Sequence, residues 1–211
     1  MKPLFLTVSL CLAYGGILAS VHAQVTVYNS FGPGNSYDTS TSWVVQGASV
    51  SGGYHGQAQA FTPTVSGDLS SIELATQNFG GSDLSNFFIA QDNGSGVPGT
   101  ILESFNNTAN PNGLLIINSI VDPFLQAGTQ YWLCDEPATA TSDNAWYFNN
   151  QNQIGFANER SQWNWSAFPA PDSFQGGVFE ITVTPVPEPS SLALVSLGGL
   201  LLVRRRTTPA R

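Results

Sequence analysis

Turn-forming clusters cut the central part of this chain into short pieces, and that limits its fold more than any other feature. Phe31-Gly32-Pro33-Gly34-Asn35, Asp92-Asn93-Gly94-Ser95-Gly96 and Asn110-Pro111-Asn112-Gly113 are three such clusters. Gly and Asn accept the left-handed backbone of tight turns, and Pro fixes φ. The pieces between the turns read with period two. In Val178-Phe179-Glu180-Ile181-Thr182-Val183, the residues Phe179, Ile181 and Val183 share one face while Glu180 and Thr182 share the other, and Ser71-Ile72-Glu73-Leu74 alternates in the same way. Such alternation belongs to half-buried strands. Further strands are predicted over 25–28, 43–46, 57–62, 86–91, 100–106, 114–120, 129–135, 145–149 and 153–158. No helical period and no fixed repeat lies among them, which argues against a parallel sheet with crossover helices, a solenoid or a propeller. The expected fold class is all-β, an antiparallel β-sandwich or jelly roll of about ten short strands.

Composition supports a folded exported domain. Only 9% of the 211 residues are charged, whereas 42% are hydrophobic and 11% aromatic, so a coiled coil and a disordered chain are both excluded. The charge is unevenly placed. Residues 24–186 hold thirteen acidic side chains and one basic one, Arg160, a net charge of −12 with no Lys. Nucleic-acid affinity comes mainly from Lys and Arg, so nucleic acid is excluded as a partner. Cys11 lies in the apolar N-terminal run, which leaves Cys134 alone in the body; no disulfide can form within it, and a buried thiol is expected.

The two ends read as targeting segments. Residues 1–23 have a basic start at Lys2, an apolar run and the small-residue site Val21-His22-Ala23, the pattern of a secretory signal peptide cleaved between Ala23 and Gln24. The domain proper spans 24–185. At the other end come Val186-Pro187-Glu188-Pro189, a nearly continuous apolar stretch over 190–203, and Arg204-Arg205-Arg206. As a helix, that stretch would be about 21 Å long at 1.5 Å per residue, short of the ~30 Å hydrocarbon core. Arginine snorkelling and bilayer thinning can close part of the gap. A transmembrane C-terminal helix is therefore expected, with the basic cluster cytoplasmic and the body outside.

The ordered triplet in 186–211 closely resembles the PEP-CTERM sorting signal of Gram-negative bacteria. Val186 to Pro189 match its motif, the run ending at Val203 its apolar helix, and Arg204 to Arg206 its basic cluster. The resemblance implies recognition by an exosortase-type membrane protease, anchoring in the inner membrane during sorting, removal of the tail, and delivery to the cell surface or extracellular matrix, commonly alongside exopolysaccharide. The chemistry suits this, because two prolines keep the motif extended and deny it helix hydrogen bonds. Several phrases of the body, among them Asp92-Asn93-Gly94, Val97-Pro98-Gly99-Thr100 and Ala127-Gly128-Thr129-Gln130-Tyr131-Trp132-Leu133, resemble choice-of-anchor domains of the R type. That resemblance implies a surface β-domain and carries over no catalytic residue.

No catalytic or metal-binding constellation stands out. His55, the one histidine outside the signal peptide, sits in Gly52-Gly53-Tyr54-His55-Gly56 without a nucleophile elbow. One His and one Cys cannot make a zinc site. Asp92-Asn93-Gly94-Ser95 lacks the spaced carboxylates of a calcium loop and reads as an Asx turn. Glycoside hydrolysis needs two carboxylates facing one another, and the adjacent Asp135 and Glu136 would point to opposite faces of a strand. The sequons at Asn93, Asn106 and Asn164 mean little in a bacterium. Trp163 and Trp165 would share a strand face among Asn, Gln and Glu; exposed aromatic rings bordered by such groups suit sugars, and the alternative is that both indoles are core, as Trp132 and Trp146 read, since large aromatics usually stay buried.

The expected function is that of a non-enzymatic exported surface or matrix protein associated with exopolysaccharide, with no cofactor or metal. The alternatives are a lectin-like carbohydrate-binding module that uses Trp163 and Trp165, and a secreted glycoside hydrolase.

Overall fold

The computed structural model describes residues 23–153, 157–161, 164–167 and 175–186, with 157–161, 164 and 167 described by backbone alone. Residues 1–22, the motif residues Pro187, Glu188 and Pro189, the apolar stretch 190–203 and Arg204 to Arg206 lie outside the described residues, as does Trp163.

Every described element is a strand. In order they are Val25–Asn29 (β1), Asp38–Gln46 (β2), Gly56–Phe61 (β3), Gly67–Gly81 (β4), Leu84–Asp92 (β5), Pro98–Ala109 (β6) and Gly113–Asn118 (β7). There follow Phe124–Leu125 (β8), Tyr131–Pro137 (β9), Ser142–Phe148 (β10), Ala157–Ser161 (β11), Asn164–Ala167 (β12) and Phe179–Pro185 (β13). All the ladders between them are antiparallel.

The strands form two sheets. One runs β12-β11-β3-β9-β5-β6. In the other, the long β4 is the spine. One of its edges pairs first with β13, from Gly67 to Leu74, and then with β10, from Thr76 to Gly81. Its opposite edge pairs with β7 and β8. β1 flanks β13 and β2 flanks β10.

The sheets face each other across one core. Ile72, Leu74, Trp146, Phe179 and Ile181 from the β4 sheet meet Phe61, Phe87, Ile89 and Leu133 from the other. The rings of Phe61 and Phe179 stand 5.9 Å apart, edge to face, a geometry that adds to the ~1.5–3 kcal/mol from burying each large apolar side chain. Asn144 Nδ2 donates across the gap to Leu84 O at 3.1 Å and Ser85 Oγ at 3.2 Å.

The described residues form thirteen strands in place of the expected ten or so. β4 extends well past the alternating Ser71 to Leu74, because both faces of its middle are covered: Ala75 is fully buried beneath Phe31 and Val178 on the outer side, and Thr76 is buried as well. A two-faced burial erases the period-two signal. Of the strand predicted over 153–158, residues 157 and 158 lie in β11 and residues 154–156 lie outside the described residues. Asn149, only 1% exposed, accepts from the Gln151 and Gln153 backbone amides at 3.1 and 3.0 Å and donates to Gln153 O at 2.8 Å, so the Gln153 backbone is tied into a loop.

Candidate functional site

β9 sorts the site's chemistry by alternation. Tyr131, Leu133 and Asp135 point between the sheets, whereas Trp132, Cys134 and Glu136 point outward. The outward side chains are still buried: Trp132 and Cys134 are fully enclosed with Ala58, Phe88 and Ala90, and Trp165 packs against this second cluster. Trp132 Nε1 donates to Asp92 Oδ1 at 2.9 Å.

The cover comes from a fold-back. β12 is separated from β5 by β11, β3 and β9, four strand spacings or about 19 Å on a flat sheet. Yet the Trp165 ring lies 6.2 Å from Phe88 of β5, at 75°. The β11–β12 hairpin therefore curls over the outer face of its own sheet and carries Trp165 with it.

Beneath the hairpin lies a cleft of about 280 Å³. Its apolar walls are Trp165, Phe88, Pro98 and Ile101, with Ile101 52% exposed. Its polar groups are Asn86, Ser104, Asn106 and Glu136. Asn86 Oδ1 accepts from the Asn107 amide at 2.9 Å, which holds the side chain in place and leaves the Nδ2 hydrogens for other acceptors. Glu136 is 8% exposed, and its Oε2 accepts from the Tyr54 hydroxyl at 3.2 Å.

Asp135 does not share the cleft. It is completely buried between the sheets, and neither carboxylate oxygen makes a hydrogen bond of ordinary geometry. Burial pushes its pKa up to about 8; the neighbouring Ser85 hydroxyl offsets this in part, without a full hydrogen bond. Its register neighbour Gln57 donates to Val44 O of the opposite sheet at 2.8 Å and leaves Oε1 unpartnered. Asp135 and Glu136 thus form no facing pair, and Glu136 is the one carboxylate among the described residues lining the cleft.

The other sequence candidates resolve as follows. Trp146 is buried, its indole donating to Val178 O at 2.8 Å. His55 hydrogen-bonds through Nε2 to the Gly52 carbonyl at 2.9 Å, which makes that nitrogen the donor. Asp92 and Asn93 each accept a backbone amide two residues on, at 2.8 Å, giving two successive Asx turns. Trp165 is the member of the tryptophan pair that the described residues place at a cleft. No local signal in the sequence links Phe88, Ile101, Asn86 and Glu136 to it; the outward triplet Trp132, Cys134 and Glu136 within the run Tyr131 to Glu136 is the available sign that something covers that face.

The termini leave the β-domain together. Val25 pairs with Val183, so Gln24 precedes β1 beside the place where Pro185 makes the last β13 pair, with Gly67. Ala23 and Gln24 are exposed, Gln24 Nε2 donates to Ser70 Oγ, and Val186 is 43% exposed. The polar end of the cleft is at the opposite end of the strands: Glu136 pairs with Asn86 next to Ser142, whose partner Gly81 is the far end of β4. Residues 185–206 match the family model of the PEP-CTERM protein-sorting motif, which covers the tail and not the β-domain. No curated protein matches the chain. The tail is thus a signal for recognition by an exosortase, a membrane protease, and for export and membrane-associated sorting to the cell surface.

Proposed function

We propose that this is a non-enzymatic surface or matrix protein that holds exopolysaccharide in the cleft beneath Trp165. In this reading the two facing sheets are a β-sandwich of the choice-of-anchor type, the signal peptide is removed at Ala23-Gln24, and the tail anchors the chain in the inner membrane until it is processed. The observation that carries the binding half is the fold-back of β12, which brings an indole over a cleft edged by Asn86, Ser104, Asn106 and Glu136. Sugar rings stack their C–H faces on aromatic planes, and amides and hydroxyls take up the ring hydroxyls. The cleft's polar end faces away from the exit of the tail, so a chain held at the membrane would present it outward. This geometry favours the lectin-like form of the proposal.

The test is affinity electrophoresis of the purified full-length protein through gels that contain the producer's extracellular polysaccharide. Retardation is expected for the wild type and should fall at least about tenfold in apparent affinity for Trp165→Ala, in line with ~1–3 kcal/mol for an aromatic stack. Wild-type mobility that is unaffected by the polysaccharide would leave a surface protein without this binding activity.

A further inference from the structure

Resting on the reading that the tail anchors the chain, we propose that the end of the β-domain from which the tail departs is a bilayer-contact surface, seated in the lipid headgroup layer by exposed apolar side chains. Six of the ten exposed large hydrophobic side chains among the described residues lie at this end: Val25 37%, Val65 40%, Ile120 86%, Val121 65%, Phe124 52% and Val186 43%. Strand register places them there. β4 begins at Gly67, which pairs with Pro185, the residue before Val186, and with Leu125, the residue after Phe124. Val65 precedes Gly67 by two residues. Val25 pairs with Val183, which in turn pairs with Leu69, and Ser119, next to Ile120, donates its amide to Ser70 O at 2.9 Å. The group therefore sits level with Gly67 to Ser70 or beyond, a depth of about 10 Å at ~3.3 Å per residue.

The loop that carries three of these residues is fixed. Glu103 Oε1 accepts from the Ile120 and Val121 amides at 2.7 and 3.0 Å, and the Leu69 amide donates to Pro123 O at 3.0 Å. A fixed loop that keeps large apolar side chains in water is unfavourable until an apolar phase covers them. The bilayer is the occupant within reach. Only Pro187-Glu188-Pro189 separate Val186 from the apolar stretch that begins at Ser190, four residue steps that reach at most about 14 Å when extended. The headgroup layer on each side of a bilayer is about 5–8 Å deep, so a chain with its tail inserted holds this end at the headgroups. Aliphatic and aromatic side chains presented there partition into the interface. The contact keeps residues 186–189 at the membrane surface, where a membrane protease works.

The experiment reconstitutes the purified full-length protein into phosphatidylcholine vesicles. Asp68 and Asp122 share this end of the domain, and lipid without net charge does not repel them. A fluorophore is attached to Ile120→Cys, to Phe124→Cys and, as the reference, to Phe79→Cys near the far end of β4; Cys134 is buried, and the wild type sets the labelling background. Quenching by nitroxide-labelled lipid is expected to be at least about threefold stronger at 120 and 124 than at 79, as interfacial insertion requires. Ile120→Ser combined with Val121→Ser, two exposed positions, should lower quenching at 124 roughly twofold or more by removing buried apolar area, with the near-ultraviolet spectrum and co-flotation with the vesicles unchanged. Co-flotation with equally weak quenching at all three positions overturns the contact and leaves the tail anchor standing. Self-quenching between labelled copies in place of quenching by lipid assigns the surface to a second copy of the chain and also overturns it. Failure of the wild type to float with the vesicles removes the anchor reading and the contact with it.

Discussion

Asp135 is the residue whose environment and chemistry are most at odds. An acid sealed between two sheets without a hydrogen-bonded carboxylate stays protonated where an exposed one would not, and its pKa rises to about 8 against an ordinary value of 3.8. Below that ordinary value the group is neutral whether the chain is folded or not. Between there and about 8 the unfolded chain gives up the proton while the folded one keeps it, so stability is lost as the pH rises through this window. At about 1.4 kcal/mol for each pH unit, the loss amounts to several kcal/mol by pH 8. Asp135→Asn should remove this dependence. In urea unfolding measured from pH 4 to 8, the variant is expected to gain steadily on the wild type and to exceed it by pH 8; a parallel pair of stability curves would contradict the burial argument. The sequence placed Asp135 and Glu136 on opposite faces of a strand, as found. What it could not supply was which face is sealed, because both sides of β9 are buried and a period-two pattern then carries no contrast.

At the scale of elements, side chains rather than pattern fix the irregular parts. Glu103 of β6, 4% exposed, gathers the β7–β8 loop: it accepts from Ser119 Oγ at 2.5 Å, the Ile120 amide at 2.7 Å and the Val121 amide at 3.0 Å. Hydrogen bonds to a charged acceptor contribute about 1.5–3 kcal/mol each. Glu103→Gln replaces one acceptor oxygen with an amide that has no lone pair to offer, and should cost about 2 kcal/mol in urea unfolding. Amide hydrogen exchange at Ile120 and Val121 should speed up while that of β9 stays slow; unchanged exchange at both amides would mean that the loop is held by other contacts. Glu103, like the loop-forming Asn149, makes no mark in a hydrophobic period, which explains why 114–120 was expected to be one strand and β7 stops at Asn118. The two-residue β8 was too short to show any period.

At the scale of the whole molecule, the chain enters and leaves the β-domain side by side at one end of a sheet, so the expected N-terminal targeting segment and the C-terminal sorting motif adjoin the same end of the domain. Pro187→Ala combined with Pro189→Ala would let the sorting motif join the helix expected after it. Cell fractionation should then show the full-length chain accumulating in the membrane fraction with less protein at the surface; undiminished delivery would show that the extended motif is dispensable. The C-terminal sorting motif was legible in sequence because it is defined by local properties, namely charge, an uninterrupted apolar run and proline, and residues 185–206 match the sorting-motif model. Period two and turn chemistry, which are equally local, were enough to determine antiparallel strands throughout the described residues. The pairing of β4 with β13 and then β10, the sealing of Asp135 and the placement of Trp165 over Phe88 were decided only by tertiary structure. Each depends on residues far apart in the chain meeting across a sheet or a core, and no local pattern encodes which distant neighbour will arrive.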